Sequence, residues 1–115
     1  MNLLDTGIII EMLKQKRYSP GAISALTLIE VLRGIEKKKR TNVKQLLEES
    51  FSILNLDNSI IETYCDIYSN LKQEGNLLPD ADLLIAATAI AHNLTLETSD
   101  EHFRRLKPLG LKLKR

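Results

Sequence analysis

Residues 2–10 read Asn2-Leu3-Leu4-Asp5-Thr6-Gly7-Ile8-Ile9-Ile10. Two leucines run into an aspartate, then threonine and glycine, then three isoleucines. A short apolar run that stops at Asp-Thr-Gly reads as a buried strand ending at a polar edge, with the isoleucines opening a packed helix. In an open parallel sheet, ligands bind outside the carboxyl ends of the strands. Asp5 stands at such an end. A lone carboxylate there is a helix cap or the first member of a site, and other acids arriving at the same edge decide between the two.

Outward from this stretch the chain alternates strand and helix. Apolar residues at 8, 9, 10, 12 and 13 give a helical stripe over Gly7–Lys16. Ser19-Pro20-Gly21 is a turn, and Ala22–Ala25 is a brief second strand. Thr27 reads as an N-cap with Glu30 at capping-box spacing, in a helix over Thr27–Glu36 that places Glu30 in its first turn. The basic run Lys37-Lys38-Lys39-Arg40 leads to a helix from about Asn42 to Ser52. A third strand covers Ile53–Leu56, and a long helix covers Ser59–Glu74, closed by Gly75.

Pro79-Asp80-Ala81-Asp82 opens a helix that is almost wholly apolar from Leu83 to Ala91. A helix without a polar face is buried nearly all round, so Asp82–His92 is the expected core helix, with Asn93 in a left-handed C′ position. Leu94–Thr98 is a fourth strand that stops at Ser99-Asp100. A short helix over Glu101–Leu106 and an edge strand over Leu111–Leu113 finish the chain. This alternation predicts an α/β fold: a three-layer α/β/α sandwich with a short, mainly parallel sheet.

The composition sets bounds. The 115 residues suffice for one domain with a real core. At 43% hydrophobic and 27% charged, the chain matches an ordinary soluble globule. Aromatic residues are only 4%, so the core is built from Leu, Ile and Ala. The net charge of +1 neither demands nor excludes a nucleic-acid partner. Cys65 is the only cysteine, which rules out an intrachain disulfide and fits a reducing cytoplasm. No apolar run reaches the length of about 18 residues that a membrane span needs, and Asp5 interrupts the place of a signal peptide.

Four acids line up in this scheme. Asp5 follows the first strand, Glu30 lies in the helix after the second, Asp82 starts the apolar helix, and Asp100 follows the fourth strand. In such a sheet these positions share one edge. Carboxylates crowded into one cleft repel unless a cation or protons intervene, and hard cations such as Mg²⁺ take oxygen ligands. The constellation therefore implies a metal, and metals at such sites activate water and neutralise charge in phosphoryl displacement.

The segments Leu4-Asp5-Thr6-Gly7-Ile8, Thr27-Leu28-Ile29-Glu30-Val31-Leu32-Arg33-Gly34, Asp80-Ala81-Asp82-Leu83-Leu84-Ile85-Ala86-Ala87-Thr88-Ala89 and Leu94-Thr95-Leu96-Glu97-Thr98-Ser99-Asp100-Glu101-His102-Phe103 resemble, in this order, the PIN domain family. Within that family they resemble the VapC-type toxins of toxin–antitoxin pairs. The resemblance covers nearly the whole chain and implies a single PIN-like domain over 1–115. It puts the catalytic acids at Asp5, Glu30, Asp82 and Asp100, with Asp5, Asp82 and Asp100 as metal ligands. Its register favours Asp82 over Asp80. It implies a Mg²⁺- or Mn²⁺-dependent ribonuclease, an inhibiting antitoxin and a homodimer. Gly7 departs from the pattern, since the family usually has Asn or another small polar residue there to orient the carboxylates. Thr6 and Thr98 keep hydroxyls beside the site.

Plainer readings exist for each residue. Asp5, Asp80 and Asp100 serve as caps in many proteins, and Glu30 completes a capping box with Thr27. His92 and His102 lack metal-ligand spacing and read as helix-end and surface residues. Cys65 reads as a small core residue. Lys37–Arg40 reads as a solvated face, or, with Arg33, Lys38 and Arg40 foremost and Arg104 and Arg105 beside them, as a contact for RNA phosphates. Other functional classes fit less well. A haloacid-dehalogenase phosphatase needs Asp where Gly7 stands, and a response receiver needs a phosphoacceptor after the third strand. A PIN-fold binding module with weakened catalysis is the remaining alternative, and Gly7 is its one support.

Overall fold

A computed structural model describes all of residues 1–115. Five strands of three residues each form the sheet: β1 (Asn2–Leu4), β2 (Ala22–Ser24), β3 (Ser52–Leu54), β4 (Thr95–Glu97) and β5 (Lys112–Lys114). Five α-helices join them: α1 (Thr6–Gln15), α2 (Ala25–Arg33), α3 (Lys37–Ser50), α4 (Asn58–Gln73) and α5 (Asp80–Ala91). A 3₁₀ segment over Glu101–Leu109 precedes β5. The strand order is β3-β2-β1-β4-β5, and every pairing is parallel.

Alternation along the strands builds two cores. Leu3 and Ala22 join one apolar cluster with Ile60, Ile67, Leu83, Ala86 and Phe103, from α4, α5 and the 3₁₀ segment. Leu4 and Ile23, one residue further on, join the other with Ile9, Val31, Leu47 and Phe51. Successive side chains of a strand point to opposite faces, so each dipeptide feeds both cores and the sheet is covered on both sides. This is the expected three-layer sandwich. Helix α5 is its most buried helix: Leu83, Ala86, Ala87, Thr88 and Ala89 have no exposed surface.

Strand order positions the site. The chain steps from β1 outward through β2 to β3, then returns to the other side of β1 for β4 and β5. The direction of winding reverses between β1 and β4, and such a switch point opens a crevice at the carboxyl ends. There the Asp5 amide donates to the Glu97 carbonyl at 3.0 Å, so the residues just after the two strands, Asp5 and Thr98, face each other.

Several boundaries differ from the sequence reading. Helix α2 begins at Ala25 with Ser24 as its N-cap, whose hydroxyl accepts from the Leu26 amide at 3.1 Å. Thr27 is therefore inside the helix and fully buried, and Glu30 sits in the second turn. Ser stands above Thr in cap preference and here comes straight off a strand. Helix α3 runs from Lys37 to Ser50, so it starts about five residues before the expected Asn42 and the basic run is its first turn. Positive side chains are unfavourable at a helix N-terminus, but Arg40 donates to the Leu32 and Ile35 carbonyls at 3.2 and 3.1 Å, which ties the start of α3 to the end of α2. Cys65 is exposed on α4 and is not a core residue. The last helical segment is 3₁₀ and runs on to Leu109, which moves the edge strand one residue later. No helix is long and apolar enough to cross a membrane.

Candidate active site

Two threonines organise the crevice. Asp5 caps α1, its Oδ1 accepting from the Thr6 amide at 2.8 Å. Its other oxygen, Oδ2, accepts from the Thr98 hydroxyl at 2.7 Å. The same Thr98 oxygen accepts from the Asp100 amide at 3.0 Å. One hydroxyl thus links the loop after β4 to the carboxylate after β1. The Thr6 hydroxyl donates to Glu30 Oε1 at 2.7 Å and lies 3.2 Å from the hydroxyl of Thr27. Neither carboxylate is left to find its own rotamer in solvent.

Burial and like charge shape the electrostatics. Burial pushes the Asp5 carboxyl up from its ordinary value; hydrogen bonds from Thr98 and Thr6 oppose this, and the charges of Asp100 and Glu30 add to it. Asp82, in the first turn of α5, is also raised. Burial is again the main cause, followed by the charges of Asp5, Asp100 and Glu30, with His102 acting in the opposite sense. All three other acids therefore act on Asp82, as expected of groups sharing one cleft. His102 Nδ1 lies 3.1 Å from Asp100 Oδ1, a neighbour that spacing alone did not expose.

Asp80, the rival of Asp82, is turned elsewhere. Its Oδ1 accepts from the Tyr64 hydroxyl at 2.7 Å, tying α5 to α4. That bond is the first cause raising the Tyr64 phenol to about 12. Arg33 lies 3.8 Å from Glu30 Oε2 with its side chain mostly exposed, at the rim. Lys38 is an exposed partner of Glu36 at 3.6 Å. Arg40 is engaged by the α2 carbonyls described above. Thr27 is the supporting residue that sequence reading misplaced: the Thr-x-x-Glu spacing that suggested a capping box instead puts both side chains on one helix face toward Thr6.

The donor set suits a hard divalent cation. It offers carboxylate and hydroxyl oxygens, and no Lys or Arg side chain pairs with Asp5 or Asp82, the two acids that burial raises. No three acidic, His or Cys side chains form a ready-made cage. That is compatible with Mg²⁺, which keeps several waters and takes one or two carboxylates from the protein.

Known proteins share this fold and order of segments. The chain is 42% identical to Ribonuclease VapC1 of Methanocaldococcus jannaschii over 115 aligned residues, covering 96% of this chain and 85% of that protein. It is 32% identical to Ribonuclease VapC of Rickettsia bellii, covering 93% and 91%. Among solved structures, that of VapBC2 from Rickettsia felis bound to a DNA fragment from its promoter matches with a TM-score of 0.77 at 26% identity, covering 98% of this chain and 96% of that one. The PIN domain model matches residues 3–108, and with acids at the switch point of a parallel sheet the chain belongs to the PIN domain family.

Proposed function

We propose that this protein is a Mg²⁺- or Mn²⁺-dependent endoribonuclease, the toxin of a toxin–antitoxin pair, with Asp5, Glu30, Asp82 and Asp100 as its catalytic acids. The observation that carries the reading is the threonine bracing at the switch point, where the Thr98 hydroxyl holds Asp5 and the Thr6 hydroxyl holds Glu30. The relatives named Ribonuclease VapC, matched over nearly the whole chain, support the same activity.

Asp5, Asp82 and Asp100 would hold the metal between them, one or two directly and the rest through its waters. When bound, it supplies charge neutralisation at the scissile phosphate and an acidified water. The chain's own contribution is positioning. The Thr98 hydroxyl and the Thr6 amide fix both oxygens of Asp5. The Thr6 hydroxyl fixes one oxygen of Glu30 and leaves the other toward the cleft rim and Arg33. Arg33 and Lys38 would meet RNA phosphates from the α2–α3 side, and their exposure supports this role of adding affinity without sequence preference.

The partner classes follow from the same reading. A cognate antitoxin would block the cleft by setting a cation of its own among the acids, a charge-assisted contact. A homodimer working in the cytoplasm belongs to the same reading; exposed Ile29 on α2 and Leu46 on α3 support the dimer by leaving apolar helix surface for a second copy. Light scattering at micromolar concentration tests the dimer, and a monomer alone would reject it. The test of the activity is cleavage of RNA with Mg²⁺ or Mn²⁺, beside EDTA and the Asp5→Asn protein. Cleavage should require the metal and vanish in the variant. Undiminished cleavage in EDTA or in Asp5→Asn would refute the mechanism.

A further inference from the structure

A cavity of about 150 Å³ lies beside the acids, between the start of the 3₁₀ segment and β5. Thr98 and Asp100 form the wall it shares with the acid cleft, and Arg104, Lys114 and Arg115 face them with Glu101 among them. Only one lining residue, Leu113, is hydrophobic, and none is aromatic. Among the lining side chains three cations stand against two carboxylates, an excess of one positive side-chain charge beside a negative cleft.

Its internal bonds hold the cations without saturating them. Arg104 Nε meets Glu101 Oε2 at 2.8 Å, and the Arg115 guanidinium donates to the other oxygen of the same carboxylate. A guanidinium has five N–H donors in a fixed fork, so each arginine keeps donors free after pairing. Both side chains remain largely exposed. Glu101 fixes where the two forks stand, which lowers the ordering cost of binding an anion between them.

We propose that this pocket is a second phosphate subsite, which seats a backbone phosphate of the RNA strand next to the one held at the acids. The inference rests on the ribonuclease reading above. The chemistry selects phosphate over base. Base recognition in single strands uses aromatic platforms, and this wall has none. Guanidinium forks match phosphate geometry. Thr98 and Asp100 belong both to the cleft and to the pocket wall, so a strand lying across the acids runs directly into it. The subsite contributes affinity and register but no sequence preference.

The test uses a short, labelled single-stranded RNA bound to Asp5→Asn protein, which keeps the fold and lacks turnover. Affinity is measured across a salt series for Arg104→Ala, Arg115→Ala and their combination. Each single change should weaken binding about 3- to 10-fold at low salt and flatten the salt dependence by roughly one phosphate contact. In the otherwise unaltered protein, the same changes should raise KM more than they lower kcat. Glu101→Gln removes a repelling charge and keeps an acceptor oxygen for the forks, so it should tighten RNA binding. Lys44→Ala, an α3 cation already paired with Glu48, should leave binding unchanged. A merely structural clasp predicts lower melting temperatures in all three Arg104, Arg115 and Glu101 variants with equal RNA affinity, and that pattern would overturn the subsite while leaving the nuclease intact. Arginine variants that keep RNA affinity and lose a protein partner instead would overturn it too. Failure of the nuclease reading shows separately, as metal-independent cleavage in the parent protein.

Discussion

Helix α5 carries an aspartate at each end, one its own and one borrowed, and they are treated in opposite ways. At its start Asp82 is raised by burial and by three neighbouring acids. At its finish His92 Nε2 meets Asp57 Oδ2 at 2.8 Å, and Asp57 is lowered. The first cause there is the Ile60 amide, which donates to Asp57 Oδ1 at 2.8 Å as part of the α4 cap; desolvation opposes it, and the His92 bond and charge add to the lowering. Asp57 is a carboxylate that the fold welcomes as an anion. Asp82 is one that the fold tolerates as an anion in the absence of a cation. The same residue type thus marks structure at one end of the helix and function at the other.

The largest expected effect breaks the functional end. Asp82→Asn and Asp5→Asn should each lower RNA cleavage by roughly a hundredfold or more. Metal-free stability should move the other way. A carboxyl raised in the folded state is a penalty on folding that is absent below the unfolded value of 3.8 and grows as pH rises through the folded value. Melting in EDTA should therefore show Asp82→Asn above the parent at neutral pH, with the two converging toward pH 3.8. A variant that melts below the parent at neutral pH would show that Asp82 is held by bonds and not strained by charge. Mg²⁺ should raise the parent's melting temperature by binding the folded form alone, and this gain should shrink in both variants.

The bracing comes next in size. Thr98→Val keeps the shape of a nearly buried side chain and removes the hydroxyl that serves both Asp5 and the Asp100 amide. Cleavage should fall about 10- to 100-fold, as for other groups that orient ligands. Stability should fall by about 1 kcal/mol as the Asp100 amide loses its acceptor. Unchanged kcat would mean that Asp5 needs only its bond to Thr6.

At the structural end, Asp57→Ala should lower the melting temperature at neutral pH and leave cleavage essentially unchanged. The sign of its pH dependence is opposite to that of Asp82. A lowered carboxyl contributes stability that is present above its unfolded value of 3.8 and is lost as pH falls through the folded value. The gap between parent and variant should close in acid, in melts followed below pH 3.8. A gap that persists there would assign the effect to packing and not to the charged cap.

Much of this contrast was legible in the residues. The alternation of strands and helices along the chain already implied a sheet covered on both faces, and the apolar run from Leu83 to Ala91 announced the central helix. The four acids were legible because each falls just after a strand or within the first two turns of a helix. Other features depend on contacts that no periodicity records. Thr27 and Glu30 have capping-box spacing whether or not Thr27 is a cap, and only the start of α2 at Ala25 decides it. Arg40 reads as one more cation in a basic run until its guanidinium is seen on the α2 carbonyls. Asp57 and His92 are 35 positions apart, and Tyr64 meets Asp80 only because α4 and α5 pack together.

The smallest expected effect concerns Gly7, the place where the functional end lacks a polar side chain that its family usually has. Gly7 is the second residue of α1, directly beyond Asp5 and Thr6. A Cβ built there meets nothing within 4 Å, and the backbone needs no left-handed conformation. Asn is therefore free to enter. Helix propensity favours it over Gly by a few tenths of a kcal/mol, so melting should shift slightly upward or not at all. If the acids are under-braced without it, Gly7→Asn should raise kcat severalfold at unchanged KM, because it orients groups and adds no RNA contact. If Thr6 and Thr98 already fix Asp5 and Glu30, the rate should stay where it is. Single-turnover cleavage of one RNA by parent and variant decides between these outcomes. A loss of activity would be the informative surprise, since it would mean that the open space at Gly7 is itself used, by substrate or by water, and that the bare helix start is a feature of the cleft and not a gap in it.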